Sequence, residues 1–101
     1  MDLFDLTGKV AIITGGNGGI GLGMADAMGM HGAKIIVAGR NNDKNKIAIK
    51  FLKEKNIISE AIKVDVDNEK SCNDLISKTI EKFGRIDVLV NNAGTNIRKR
   101  P

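Results

Sequence analysis

The stretch TGGNGGIG, residues 14–21, decides the fold of this chain. The apolar run VAII (residues 10–13) precedes it, and LGMADAM (residues 22–28), which has the composition of a helix, follows it. A strand, a glycine turn and a helix in that order are typical of a phosphate site, because the first N–H groups of a helix lack intrahelical acceptors and carry partial positive charge. The glycine spacing, G-x3-G-x-G, differs from the GxGxxG fingerprint, and the Lys-Ser/Thr of a Walker A loop is missing. A glycine-rich turn without a ligand is the alternative interpretation.

The chain on both sides of this stretch repeats the alternation of strand and helix. Strands are expected over residues 10–14, 34–38, 61–64 and 86–90, and helices over residues 20–31, 43–55 and from about residue 68 to Gly84. The first two strands are continuous apolar runs, which is typical of strands buried on both faces of a parallel sheet. The pattern predicts an α/β fold, a Rossmann-like doubly wound parallel sheet with strand order 3-2-1-4.

The apolar spacing of each helix predicts which face packs against the sheet. The expected core positions are Ile20, Met24 and Met28 in the first helix, Ile47, Ala48, Phe51 and Leu52 in the second, and Cys72, Leu75, Ile76, Thr79, Ile80 and Phe83 in the third. Small residues in the first helix allow it to approach the sheet closely.

Composition limits the class of protein. The chain has 101 residues, enough for one small domain, and a net charge of +4, which favours anionic partners such as nucleotides. The lysines of the second helix lack interleaved aromatic residues and arginines, so a solvated helix face is expected and no nucleic-acid partner. The single cysteine favours a reducing compartment, and the lack of a long apolar run argues against a membrane span or a signal peptide. We therefore expect a cytoplasmic protein without a metal site.

Polar residues follow three of the predicted strands at the edge where such sheets bind ligands. Arg40 follows strand 2, where a carboxylate suits the ribose of NAD and an arginine suits the 2′-phosphate of NADP, so NADP is favoured and NAD is the alternative. Arg40 as a solvated loop residue is the other interpretation. Asp65 follows strand 3 and accepts a hydrogen bond from the adenine amine or serves as a turn residue. Asn91 and Asn92 follow strand 4, with structural and ligand-lining roles both open.

Together these motifs resemble the N-terminal half of a short-chain dehydrogenase/reductase. The resemblance rests on the TGxxxGIG loop, on the aspartate after strand 3 and on the NNAG sequence at residues 91–94, and it covers nearly all of the chain. It implies that the glycine loop holds the pyrophosphate of a dinucleotide. The residues that it places at the cofactor are Gly15, Asn17, Gly18, Gly19, Ile20, Gly21, Arg40, Asp65, Val66, Asn91, Ala93 and Gly94.

Within that family, residues 3–9 and the tail at residues 92–99 look like those of the sugar-acid members, gluconate 5-dehydrogenase and 2-deoxy-D-gluconate 3-dehydrogenase. The general motifs are shared with 3-oxoacyl reductases. The resemblance implies hydride transfer between NADP(H) and a ketone or alcohol in a full-length parent of about 250 residues. The catalytic Ser, Tyr and Lys of the family lie in its second half, and this chain contains no tyrosine. We expect residues 1–101 to be the N-terminal half of the cofactor-binding domain, inactive by themselves.

Further expectations concern binding and association. The alternative to an enzyme is a binding module, which takes the ADP part of a dinucleotide or only folds and associates. Strand 4 is expected to form an edge of the sheet, with an apolar face that the third helix covers only in part, so a homo-oligomer is expected. The cluster RKR at residues 98–100 either binds a substrate carboxylate or is a solvated tail.

Overall fold

Strands and helices alternate through residues 5–92, the part of the chain that the structure, a computed structural model, describes. The elements are β1 (Val10–Thr14), α1 (Gly19–Met30), β2 (Lys34–Gly39), α2 (Asn42–Glu54), β3 (Ser59–Lys63), α3 (Glu69–Phe83) and β4 (Val88–Asn91). The strands form one parallel sheet in the order β3-β2-β1-β4. The predicted fold class and strand order are confirmed.

The two central strands are apolar without alternation because both of their faces are covered. Ala11 and Ile13 of β1 belong to a core cluster on the side of α1 and α2, whereas Ile12 belongs to a second cluster with Leu75 of α3. All five residues of β1 are buried. Helices on both sides of the sheet therefore remove the period-two signal that a half-exposed strand would show.

The predicted core face of α1 is wrong in its first residue. The side chain of Ile20 is 75% exposed, and the buried residues of the helix are Gly21, Ala25 and Gly29. A Cβ atom added to Gly29 would lie 2.5 Å from Cγ2 of Ile57, so the helix backbone lies directly against that side chain. Close packing selects the small residues for the buried face, while Met24 and Met28 are half-buried at its margin.

The faces of α2 and α3 are confirmed only in part. Ala48 and Leu52 are fully buried, but Ile47 is 69% exposed and its expected place in the core is wrong. Leu75 and Thr79 are buried in α3, and Cys72 and Phe83 pack against the same cluster. Ile76 and Ile80 are 39% and 45% exposed and lie outside the cluster that Leu75 forms with residues of β1, β2 and β3, so their expected places in the core are wrong.

Two strand boundaries differ from the expectation by a few residues. β3, an edge strand within residues 5–92, begins earlier, at Ser59, and its first two residues are polar or charged although Ser59 is buried. β4 begins at Val88, two positions later than expected, after a hydrogen bond that the N–H of Asp87 donates to the carbonyl of Val10 at 2.9 Å. The apolar runs of these edge strands are shorter than those of β1 and β2, so the sequence marks their ends less clearly.

The carboxylate of Asp87 joins the start of β1 to the segment before β4. It accepts hydrogen bonds from the N–H of Val10 at 2.8 Å and from two nitrogens of Arg85, each at 2.8 Å. The donated hydrogen bonds from Arg85, followed by that from Val10, lower the pKa of the Asp87 carboxyl below its ordinary value. The ionised form of Asp87 therefore stabilises the fold.

We expect this contribution of Asp87 to appear in the acid limb of the stability curve. Because the folded-state pKa lies below the unfolded one, the contribution is present above the unfolded pKa and is lost as the pH falls through the folded pKa. Asp87→Asn should lower the thermal midpoint at pH 7 and flatten its decline toward pH 3. Thermal unfolding followed by circular dichroism measures both effects. An identical pH dependence in the variant and the unsubstituted chain would contradict this role.

Candidate functional site

The glycine loop carries the chain from the buried end of β1 to the exposed start of α1. The N–H of Gly15 donates to the carbonyl of Ala38 at 2.8 Å, so the loop follows β2 for one residue beyond β1. Gly15 and Gly19 have φ angles of +69° and +55°, in the left-handed region that favours glycine. Gly18 caps α1 with extended backbone and no side-chain hydrogen bond, and the first turn of the helix contains no acidic residue. The start of α1 is therefore suited to an anion.

Gly21 sets the distance between the helix and the loop. A Cβ atom at this position would overlap the carbonyl oxygen of Gly15 and would lie 2.9 Å from Nδ2 of Asn92. Gly23, two residues further along α1, has no heavy atom within 4 Å of such a Cβ. The third glycine of the predicted motif is thus required by backbone packing, which keeps the start of α1 against the loop.

A cavity of about 190 Å³ opens between the loop and the carboxyl ends of β2 and β3. Four of the predicted site residues line it, and these are Gly15, Asn17, Arg40 and Val66. Asn41 and Lys44, at the start of α2, also line it, and the sequence analysis did not select them. The cavity therefore joins a glycine loop to two cationic side chains, an arrangement that suits a phosphate-bearing ligand.

An amide network that the sequence analysis missed holds one wall of this cavity. Asn45 of α2, only 2% exposed, accepts a hydrogen bond from Nδ2 of Asn17 and donates one to the carbonyl of Gly39, both at 3.0 Å. A signal exists in the sequence, since Asn45 precedes Ala48 by three positions and Leu52 by seven and so shares their buried face. A polar residue on that face requires partners, which these hydrogen bonds provide.

Asp65 lies beside a second, larger cavity of about 580 Å³, which Arg40, Lys63 and Lys78 also line. Its Oδ1 accepts a hydrogen bond from the N–H of Asp67 at 3.0 Å, and its own N–H donates to Oγ of Ser71 at 2.8 Å. Asp65 therefore acts as a turn residue, one of the two roles expected for it. Since it also lines the cavity, this geometry is compatible with a ligand contact as well.

Thr14 connects the ends of β1 and β4. Its hydroxyl lies 3.1 Å from Oδ1 of Asn91 and 3.2 Å from the carbonyl of Val90, and it accepts a hydrogen bond from the N–H of Asn92 at 3.0 Å. Asn91 lines a third cavity of about 260 Å³ with Thr14 and Leu89. The structural role expected for the asparagines after β4 is thus present.

The remaining predicted site residues are divided between two places. Gly18 is the N-cap of α1 and Gly19, Ile20 and Gly21 belong to its first turn, and the three cavities described above are lined by other residues. Ala93 and Gly94 lie outside the described residues.

Within residues 5–92, no group of three or more His, Cys, Asp or Glu side chains is arranged to hold a metal ion. The helices α1 to α3 are each too short or too polar to cross a bilayer.

Comparison with known proteins places this geometry in a family. Residues 9–101 match the family model described as short chain dehydrogenase. Over its whole length the chain is 38% identical to the 2-dehydro-3-deoxy-D-gluconate 5-dehydrogenase of Formosa agariphila, and it covers 38% of that protein.

Solved structures give the same result. The fold is similar to that of 2-keto-3-deoxy-D-gluconate dehydrogenase from Streptococcus agalactiae, with a TM-score of 0.85 and 37% identity over 97% of this chain and 36% of that one. A metagenomic short-chain oxidoreductase in complex with NADP gives a TM-score of 0.86 and 30% identity over 90% of this chain and 41% of that one. The chain thus spans less than half the length of each of these proteins.

Proposed function

Since the chain belongs to the short-chain dehydrogenase family, we propose that it forms the cofactor-binding part of an oxidoreductase that transfers hydride between NADP(H) and a ketone or alcohol. The cavity in which Gly15 and Asn17 of the glycine loop meet Arg40 carries the proposal. A bound dinucleotide would supply or accept the hydride through its nicotinamide ring. Because the chain covers 38% of a relative such as the Formosa enzyme, turnover and substrate are proposed for the whole protein.

The site fits a dinucleotide by its shape and its charge. At Gly21 a Cβ atom would overlap the loop backbone, so the start of α1 packs directly against the glycine loop. We assign the pyrophosphate to the backbone N–H groups at this start of the helix. Arg40 and Lys44 supply positive charge for a 2′-phosphate, which favours NADP over NAD. We assign the adenine to the region of Asp65 and Val66. The adenosine ribose is assigned to Asn91, the last residue of β4, and to Ala93 and Gly94, which follow it in the sequence.

For the substrate we propose a gluconate-like sugar acid. Two similar proteins that act on 3-deoxy-gluconate derivatives by name support this choice, together with the resemblance of residues 3–9 and 92–99 to sugar-acid members. A 3-oxoacyl substrate, or a module that binds a dinucleotide without catalysis, is the alternative. A cytoplasmic location fits the single, unpaired Cys72. Nucleic acid and membrane are not among the proposed partners.

Arg40→Asp tests the cofactor assignment. The substitution should weaken NADPH binding by about 10- to 100-fold, because a charge-assisted hydrogen bond to phosphate is lost and a like charge takes its place. NADH binding should stay the same or strengthen, since NADH lacks the 2′-phosphate and a carboxylate at this position suits its ribose. Titration calorimetry of the purified chain with each cofactor measures both constants.

Lys50→Asp is the matched control for this experiment. Lys50 is an exposed residue of α2 that lines none of the three cavities, and its substitution changes the net charge by the same amount. It should leave both affinities nearly unchanged. Equal affinity of the unsubstituted chain for NADPH and NADH, unaffected by Arg40→Asp, would remove the role of Arg40 and the preference for NADP.

We also propose that two copies of this chain associate through β4. In residues 5–92, β4 pairs with β1 alone, and Leu89 is 56% exposed beside the partly exposed Ile76. An unpaired strand edge and an apolar surface both favour association. Asp87 is a charge near this edge and opposes pairing weakly, since its carboxylate is bound by Arg85 and by the N–H of Val10. A two-fold axis would place the two β4 strands antiparallel and form an eight-stranded sheet.

Size-exclusion chromatography with light scattering tests this association. The chain should elute as an assembly of at least twice its mass of 10.8 kDa. Leu89→Glu, which introduces charge into the apolar surface, should shift it to the monomer, while Ile47→Glu on the exposed face of α2 should not. A folded monomer that persists at high concentration would refute the proposal.

A further inference from the structure

Asn45 is the most deeply buried side-chain amide of α2, and the proposed function gives it no role so far. Burial of an amide is unfavourable unless each polar atom finds a partner. Asn45 meets this requirement with two hydrogen bonds of 3.0 Å, one to the carbonyl of Gly39 and one from Asn17. It therefore links the helix, the end of β2 and the glycine loop.

The chemistry of the partners determines the direction of both amides. The carbonyl of Gly39 can only accept, so Asn45 must present its NH₂ group to it. The oxygen of Asn45 then faces Asn17, which must present its own NH₂ group in return. The orientation of the Asn17 amide thus follows from a backbone carbonyl two hydrogen bonds away.

Three residues that this hydrogen-bond network connects line the cavity. The carbonyl of Gly39 also accepts a hydrogen bond from the N–H of Val64 at 3.1 Å, which joins β3 to the same point. Asn17, Gly39 and Val64 all line the 190 Å³ cavity, whereas Asn45 does not. Asn45 thus lies behind the wall of the cavity and holds that wall through Asn17.

We infer that Asn45 is a positioning residue, which holds the glycine loop in its binding geometry through the amide of Asn17. The inference rests on the proposed function, because the ligand of the loop is the ADP part of a dinucleotide. Without the Asn17–Asn45 hydrogen bond the loop samples more conformations, and a ligand must then order it on binding. The loss should affect nucleotides with and without a 2′-phosphate by the same factor, in contrast to the loss of Arg40.

Asn45→Leu tests this role, because leucine has a similar volume and removes both hydrogen bonds. With 5′-ADP and 2′,5′-ADP as probes, titration calorimetry should show about 5- to 10-fold weaker binding of each. The thermal midpoint should fall little or rise, since an apolar side chain suits a buried position. Asn42→Leu, an exposed asparagine in the first turn of the same helix, is the matched control and should bind both probes normally.

A double-mutant cycle separates this role from a general loosening of α2. In the background of Asn17→Ala, Asn45→Leu should have no further effect on either affinity, because its action requires the Asn17 amide. If Asn45→Leu does not fold, Asn45→Ser, whose side chain is too short to reach both partners, replaces it. Unchanged affinity in the folded variant, or a full additional loss in the Asn17→Ala background, would overturn the inference. Failure of the unsubstituted chain to bind either probe would instead overturn the proposed function.

Discussion

Gly21→Ala is expected to abolish binding of ADP-containing nucleotides and to destabilise the fold by about 3 kcal/mol or more. The added Cβ would overlap the carbonyl oxygen of Gly15, a backbone atom that cannot move without shifting the whole loop. Either α1 moves away from the sheet or the loop changes its conformation. Both movements displace the first N–H groups of the helix, which the proposed function assigns to the pyrophosphate.

Gly23→Ala is the matched control, because it makes the same change two residues further along α1. No heavy atom lies within 4 Å of the added Cβ, and alanine favours the helix over glycine. This variant should bind nucleotide normally and gain about 0.5–1 kcal/mol in stability. Urea unfolding and calorimetric titration with 5′-ADP measure the two properties in each variant. Similar behaviour of the two alanine variants would show that the contact between Gly21 and Gly15 does not control the loop.

Leu52→Ala should destabilise the fold by about 2–5 kcal/mol, the range for a large side chain removed from a well-packed core. Leu52 is fully buried among residues of α2, β1 and β2, where neighbouring side chains cannot fill the space. For a chain of this length the total stability is about 5–15 kcal/mol. The variant should therefore unfold at a much lower urea concentration than the unsubstituted chain.

Ile47→Ala provides the comparison within the same helix. Ile47 is 69% exposed, so its truncation should change the free energy of unfolding by no more than about 0.5 kcal/mol. The sequence pattern assigned both residues to the core, and the structure separates them. Equal losses from the two substitutions in urea unfolding would support the sequence interpretation and contradict the packing of α2 described above.

β1 and β2 could be predicted because burial of both their faces restricts them to apolar residues. Ile12, Ile35 and Ile36 are buried whichever side of the sheet they face, so β1 and β2 appear as continuous apolar runs. The glycine loop could be predicted for a similar reason, since positive φ at Gly15 and Gly19 favours one residue type. In such places the backbone environment alone restricts the choice of residue.

Part of each helix face and one wall of the site could not be predicted because they depend on tertiary distance. The apolar residues of α1 suggest that Ile20 is buried, yet the close approach of the helix to the sheet requires Gly21, Ala25 and Gly29 there instead. Asn45 shares the buried face of Ala48 and Leu52, but the partners that satisfy its amide are 6 and 28 positions away in the sequence. Periodicity measures amphipathic character and contains no information about such distances.

The attachment of β4 has a consequence for the motions of the molecule. In residues 5–92 this strand is bound to the sheet through β1 alone, and the hydrogen bond between Thr14 and the carbonyl of Val90 spans 76 positions. In a single copy, opening of β4 breaks these contacts and leaves β1, β2 and β3 paired, so its amide protons should exchange with solvent at a lower free energy than those of β2. A ligand that contacts both the glycine loop and Asn91 would bind only the closed arrangement. For such a ligand, occupancy and closure of β4 would be linked equilibria, and saturation with it would slow hydrogen exchange along the whole of β4.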